Sequence, residues 1–387
     1  MTVLELHEPD GAFDRLEEWL RAQGFFAPGG EALVADLYLG YGLSSAIRRT
    51  TAPTSPEPCP LPLLACAVRS KPHDVKNDNV HDRALGGSAV PGELEIGAWR
   101  RTWPAARHRA AVDAVRDAIA RGDVYQVNLV QHLSAPFAGS PHALAARLAP
   151  LTQPNDAPLG DSIWRVLQGD GWAIVSASPE LLVSRRGSLL RTRPIKGTRP
   201  LGGRDDLLAS PKDAAEHLMI VDLARNDLSR VCRHGTVRWP DLFHAETLAG
   251  VEHLVSTIEG ELRPGVGLAE ILAAVFPGGS VTGAPKIAAV DLIAALEPVG
   301  RGASMGALGR VHGTGDLDLA LTIRTFSVAE GRVHLWVGGG IVWDSQPEAE
   351  VAESLAKADP LLAAIGAPLN RVTAPTSRRH AVPGGRR

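Results

Sequence analysis

Apolar residues recur at the 3.6-residue spacing of a helix in six stretches of the chain. They are FDRLEEWLRAQ, AARHRAAVDAVRDAIARG, KDAAEHLMIVDLARNDL, AEILAAVF, KIAAVDLIAALE and EAEVAESLAKADPLLAAI, the second stopped by Gly122. Alternating or short continuous apolar runs predict strands in LVADLYL, LLACAVRS, VYQVNLVQHL, SIWRVLQ, WAIVSAS, ELLVSRR and SLLRT. Two further strands, LDLALTIRTFSV and RVHLWVGGGIVW, read as a hairpin through Glu330–Gly331. The order of elements has no regular βαβ rhythm and no internal repeat, which predicts a mixed α and β chain. TTAPTSPEPCPLP and residues 71–100 lack periodicity and read as irregular connections. Residues 1–100 form an N-terminal part, 101–367 the main domain, and 368–387 a tail expected to be disordered.

Composition narrows the class without naming a chemistry. The 387 residues allow about two domains. A net charge of −3 supplies no electrostatic reason to expect nucleic acid. Cys59, Cys66 and Cys232 make neither a CxxC pair nor a disulfide framework, which fits a reducing compartment. MTVLELHEPDG lacks the features of a signal peptide, and no apolar run approaches the ~20 residues of a membrane span. A cytoplasmic location is the expectation.

Charge usage is more informative. Lysine occurs only at Lys71, Lys76, Lys196, Lys212, Lys286 and Lys357, among 40 Lys+Arg. Lys196 sits in RTRPIKGTRP, framed by the turn formers Pro194 and Gly197. Two predicted helices carry acids three residues apart, Asp213 with Glu216 and Glu350 with Glu353, so that each pair projects from one helix face. Two such faces meeting over a cleft would suit magnesium; two solvated faces would present the same spacing. Arg225, Asn226 and Asp227 read as structural contacts at a helix exit.

FPGGSVTGAPK has the glycine separation of a phosphate loop, but Ala284 and Pro285 stand where a nucleotide loop needs Gly-Lys-Ser/Thr. Pro285 reads as the first position of the next helix, so the loop delivers backbone N–H groups to a helix N-terminus, suited to a carboxylate or a phosphate. Gly338, Gly339 and Gly340 lie within a strand pattern, consistent with close approach of a ligand or with a bulge. Arg324, in the apolar strand before them, calls for a carboxylate partner.

Taken in order, GDVYQVNL, SASPELLV, RPIKGTRP, AEHLMIVDLARNDLSRV, HLVSTIEG, FPGGSVTGAPK, TIRT and GGGIVWDSQPEAEVAES resemble the chorismate-utilising enzymes over roughly residues 100–365. These include anthranilate synthases, aminodeoxychorismate synthases, and isochorismate and salicylate synthases. The resemblance implies an α+β sandwich of two facing antiparallel sheets with outer helices. It implies that Glu216, Glu350 and Glu353, with Asp213 nearby, surround Mg²⁺, which clamps the ring carboxylate. Arg324 and the backbone of Gly338, Gly339 and Gly340 match the group that holds the enolpyruvyl carboxylate. Ser280 and Gly283 match the loop contacting the ring carboxylate, and Thr198 joins the substrate-binding set. His253 matches a histidine beside the ring, with its role open between orientation and proton transfer.

Within that resemblance, two positions separate the chemistries. Members that add water carry lysine where this chain has Gln126; glutamine is no base and can only orient a nucleophile such as ammonia. Anthranilate synthases read PIAGT where this chain reads PIKGT. The resemblance therefore implies a nucleophilic Lys196 of lowered pKa, a general acid Glu180, and 4-amino-4-deoxychorismate as product, on a route to p-aminobenzoate and folate or to a secondary metabolite. An anthranilate-type synthase and a non-catalytic chorismate-binding homologue are the alternatives. RGASMGALGR departs from the family, with Ser304 and Met305 where an aromatic residue is usual. Cys66 lacks the glycine-flanked elbow of an amidotransferase nucleophile, so a separate glutamine amidotransferase subunit is the expected ammonia source.

Overall fold

The computed structural model describes residues 2–70, 94–151, 166–248 and 251–367. Of the predicted SIWRVLQ strand only its end is described, as Val166–Gly169. Most of the 71–100 connection and the whole 368–387 tail lie outside the described residues.

The strand patterns assemble into two antiparallel sheets. The larger runs Thr2–Leu6, Leu64–Ser70, Leu33–Leu39, Ala307–His312, Leu317–Leu321, Leu181–Arg186, Leu189–Arg193, Val251–Glu261 and Ile195–Pro200, with Arg238–Leu248 also paired to Val251–Glu261. Strands of the first hundred residues thus share a sheet with the main domain. The second runs Gly283–Ala284, Gln126–Ala138, Arg332–Ile341, Thr325–Ala329, Trp172–Ser176 and Val166–Gly169.

All six predicted helices are present, as Ala12–Ala22, Ala105–Ala120, Pro211–Ser229, Leu268–Val275, Lys286–Leu296 and Pro347–Ala364. Pro211–Ser229 starts sharply because the Ser210 hydroxyl accepts from the Asp213 N–H at 3.3 Å and Pro211 occupies the first turn. Pro285 stands at the N-cap of Lys286–Leu296, one position earlier than expected. An apolar layer including Leu37, Leu129, Val183, Leu319 and Trp336 is closed to water and gives the site rigid walls.

One expectation is corrected. LDLALTIRTFSV is two strands in different sheets, Leu317–Leu321 in the larger and Thr325–Ala329 in the smaller. The chain crosses between sheets at Thr322–Arg324, where Arg324 adopts φ 50, a left-handed conformation incompatible with a continuing strand. Arg324 is therefore at the crossover rather than within a strand.

Two registers bring the candidate residues together. In Ile195–Pro200, Lys196 faces Leu254 and Thr198 faces His253, with a register shift between them. Along the second sheet, Gly338 pairs with Val130 and Gly340 with Asn128, laying the glycine run beside the strand that begins at Gln126.

Candidate active site

Gly197 causes the register shift next to Lys196. Its φ of +65 and a leucine methyl of Leu207 at 2.6 Å from where a Cβ would lie admit no side chain. The bulge leaves the Lys196 side chain largely enclosed, 14% exposed. Its Nζ donates to the Ser280 carbonyl at 3.1 Å and lies 3.8 Å from Glu216 Oε1. The Ser280 hydroxyl donates to Glu180 Oε1 at 2.7 Å, so one residue of the FPGGSVTGAPK loop touches both Lys196 and Glu180. Burial pushes the Glu180 carboxyl above its ordinary range, against the opposing effects of Lys196, the Ser280 hydroxyl, the Ile195 N–H and Arg324.

Gln126 closes another wall. It is 1% exposed, and its Nε2 donates to Glu216 Oε1 at 2.9 Å. Because a carboxylate only accepts, this bond fixes which end of the amide is which. The other end, Oε1, is buried without a hydrogen-bond partner. Gly340 is required here: a Cβ would strike the Gln126 amide and come within 2.9 Å of Glu216 Oε1.

His253 links two strands. Its Nδ1 lies 3.1 Å from both the Gly197 carbonyl and the Thr198 hydroxyl, and its Nε2 is 3.2 Å from Arg324 Nη2. Arginine only donates, so Nε2 must accept and Nδ1 carries the proton. Burial, with Arg324 beside it, pushes the His253 pKa down to about 4, which leaves the ring neutral. Arg324 itself has no ion pair within 4.0 Å among the described residues. The carboxylate partner expected for it from the sequence is thus not in direct contact; His253 orients it, and the Glu180 carboxyl acts on it electrostatically.

The acids divide into two groups. Glu216 reaches Gly340, while Glu350 Oε2 and Glu353 Oε1 each come 3.6 Å from the space beside Gly339. Burial and the adjacent Glu353 raise the Glu350 carboxyl, whereas for Glu353 the Lys357 ammonium at 2.8 Å outweighs burial and lowers it. Asp213 is held by Arg199 at 2.6 Å. Among the described residues no three such groups gather closely enough to form a ready metal cage. The donor set still fits a hard cation, since magnesium uses few carboxylates and keeps its waters and substrate oxygens. Gly283 pairs with Val127, which anchors the loop after Ser280 to the Gln126 strand.

The structure also shows what spacing concealed. Lys286 is no phosphate ligand: its Nζ pairs with Asp227 at 2.6 Å, both nearly buried. The reading of Asp227 as structural agrees with this contact. Ser304 is enclosed, with its hydroxyl on the Thr322 carbonyl at 3.4 Å, and Met305 is 6% exposed. Arg301, absent from the sequence candidates, is 1% exposed and bonds both the Ser280 loop and the Gln126 strand. Only its position in an apolar glycine-rich segment hinted at it. The three cysteines are buried and unpaired. No helix among the described residues is long and apolar enough to cross a membrane.

Comparisons with known proteins agree with this geometry. Residues 67–363 match the family described as chorismate binding enzyme. The chain is 40% identical over 286 residues to anthranilate synthase component 1 of Streptomyces coelicolor, covering 72% of this chain and 55% of that protein. It is 39% identical over 273 residues to aminodeoxychorismate synthase component 1 of Klebsiella aerogenes, covering 68% and 59%. The match thus spans little more than half the length of these relatives. The crystal structure of anthranilate synthase component I from Streptococcus pneumoniae superposes with a TM-score of 0.76 at 25% identity, covering 93% of this chain and 89% of that one. Two antiparallel sheets carrying the Lys196, Glu180, His253 and Arg324 cluster, together with a family match over most of the sequence, place this chain in the chorismate binding enzyme family.

Proposed function

We propose that this chain is an enzyme that converts chorismate and ammonia to 4-amino-4-deoxychorismate, as an aminodeoxychorismate synthase component I. The observation that carries the reading is the amine of Lys196 at 3.1 Å from the Ser280 carbonyl, with the same residue's hydroxyl on Glu180. That arrangement sets a nucleophile and an acid against one loop residue.

In this reading the Lys196 amine attacks ring C2 through its lone pair. The C1–C2 and C5–C6 double bonds shift to C1–C6 and C4–C5, and the C4 hydroxyl leaves as water with a proton from Glu180. Ammonia, oriented by the free Gln126 carbonyl oxygen, then attacks C4. The double bonds return to their original places and the C2–nitrogen bond breaks, releasing Lys196. Arg324, oriented by His253, holds the enolpyruvyl carboxylate with the backbone of Gly338–Gly340. Thr198 and the Ser280–Gly283 loop line the ring. Mg²⁺ would be held by Glu216, Glu350 and Glu353 with Asp213 nearby, and would supply positive charge to the ring carboxylate. A glutamine amidotransferase subunit would supply the ammonia, and the product would feed p-aminobenzoate and folate or a secondary metabolite.

An anthranilate-type synthase is the second reading, favoured by the Streptomyces coelicolor relative and the Streptococcus pneumoniae structure. The test is product identification after incubation with chorismate, Mg²⁺ and an ammonium salt. The expected product yields p-aminobenzoate only after aminodeoxychorismate lyase is added. Fluorescent anthranilate appearing without the lyase would support the second reading, and no consumption of chorismate would support a binding protein.

A further inference from the structure

Arg301 is the most thoroughly engaged buried charge among the site's neighbours. Its Nε and Nη2 donate to Glu297 Oε2 and Oε1 at 2.8 and 2.7 Å. Its Nη1 donates to the Val281 carbonyl at 2.8 Å, and its Nη2 also donates to the Asn128 carbonyl at 2.7 Å. Glu297 Oε1 in turn accepts from the Val130 N–H at 3.0 Å. The guanidinium lies over the Tyr41 ring, 4.4 Å from its centroid.

The two carbonyls belong to different halves of the site. Val281 follows Ser280, which touches Lys196 and Glu180; Asn128 is two residues beyond Gln126. Backbone pairing joins loop and strand at Gly283–Val127 and Ala284–Gln126, and ends with the Asn128 N–H on the Thr282 carbonyl at 2.8 Å. Beyond that point the loop leaves the strand towards Lys196, and Arg301 bridges the divergence. Only a planar fork of fixed donors meets both carbonyls and a carboxylate together; an ammonium does not. A buried ion pair is weak evidence of stabilisation. Its donors are instead spent on the spacing between the loop and the strand.

We propose that Arg301 is a positioning residue that keeps Gln126 in register with Lys196 and Glu180 for the attack of ammonia. The proposal rests on the two-step reading above. Lys196 and Glu180 each bond Ser280 directly, whereas Gln126 sits on the neighbouring strand and reaches them only through Glu216. Loosening the bridge therefore spares formation of the Lys196 adduct and slows its resolution.

The test uses Arg301→Lys and the double variant Glu297→Gln with Arg301→Met, which removes both buried charges. Folded fraction is measured by thermal melting, and reactions at saturating ammonium are quenched for intact mass. The expected result is a kcat lowered on the order of 10²-fold, as for a displacement of about 1 Å, with KM for chorismate unchanged. A species heavier by chorismate less one water accumulates in the variants and not in the wild type. Turnover that falls only with the folded fraction, or adduct that declines in step with turnover, would overturn the proposal. Wild-type protein with chorismate and no ammonium is the control. If it forms no adduct, the two-step reading fails by itself, and KM for ammonium decides the role of Arg301. That constant rises in the variants if Arg301 positions the strand, and its staying constant refutes the role.

Discussion

His253 Nε2 accepts a hydrogen bond from Arg324 Nη2 at 3.2 Å, across 71 residues of chain. The bond decides the histidine's tautomer and gives the arginine a fixed direction. His253 thereby acts on orientation: its only ring proton is on Nδ1, turned to the Gly197 carbonyl. His253→Ala is expected to raise KM for chorismate roughly 10–100-fold, the equivalent of ~1.5–3 kcal/mol for a hydrogen bond to a charged group. Because the His253 pKa is pushed down to about 4, its titration contributes nothing to kcat/KM at around pH 6–8. A limb near neutrality that disappears in the variant would contradict the assignment.

Glu180 is 4% exposed, and its carboxyl is raised by burial. Replacing it with glutamine keeps the shape and removes the proton; kcat is expected to fall ~10²–10⁴-fold. The stability effect has the opposite sign. A carboxyl raised in the folded state binds its proton more tightly there than when unfolded. Its contribution is therefore lost as pH rises from the ordinary carboxylate value through the raised one. At neutral pH Glu180→Gln should melt no lower than the wild type, and the gap should close in acid. Melting temperatures of both proteins across pH check this.

Lys286 and Asp227 form a pair with side chains 10% and 8% exposed. Lys286→Met leaves a buried carboxylate without its partner and is expected to cost ~3–5 kcal/mol. Adding Asp227→Asn should recover most of the loss, because the uncompensated charge is removed with it. Urea denaturation of the single and double variants gives the comparison, and equal losses in both would show that the charge is not the cause.

His132 Nε2 and His334 Nδ1 are 3.0 Å apart between adjacent strands, and the Thr102 hydroxyl meets the other ring nitrogen of His132 at 2.6 Å. Burial pushes His132 down to about 3 and His334 to about 4, with Arg332 adding to both. Depressed histidines favour the fold fully above their unfolded value of ~6.5 and lose that contribution as pH falls towards 4. The wild type should lose melting temperature across this interval. His334→Gln should show a shallower slope, and an unchanged slope would assign the acid sensitivity elsewhere.

Much of this protein was legible locally. Apolar spacing located six of the described helices and many of the strands, since burial on one face leaves a period of 3.6 or 2, but it missed Thr2–Leu6, Ile195–Pro200, Arg238–Leu248, Val251–Glu261 and Ala307–His312. Gly122 and Gly331 marked their turns, with φ of 78 and 68. The lysine in PIKGT was visible because the chain uses lysine so rarely, and its meaning came from resemblance to a family.

Contacts across long stretches of chain were not legible. The sequence shows an arginine in TIRT; only the fold shows that the chain changes sheets there, because alternation reports burial and not which sheet a strand joins. Acid spacing does not reveal that Asp213 faces Arg199 while Glu216 faces Gln126 and Lys196. Lys196 and Glu180 meet through Ser280, 84 and 100 residues away, and Arg301 joins segments 20 and 173 residues distant. The sequence by itself determined many of the elements and the chemical groups they carry, because periodic burial and turn chemistry act between near neighbours. Tertiary structure alone decided which groups face one another, because sheet register and the closing of two layers on a common interior set those distances.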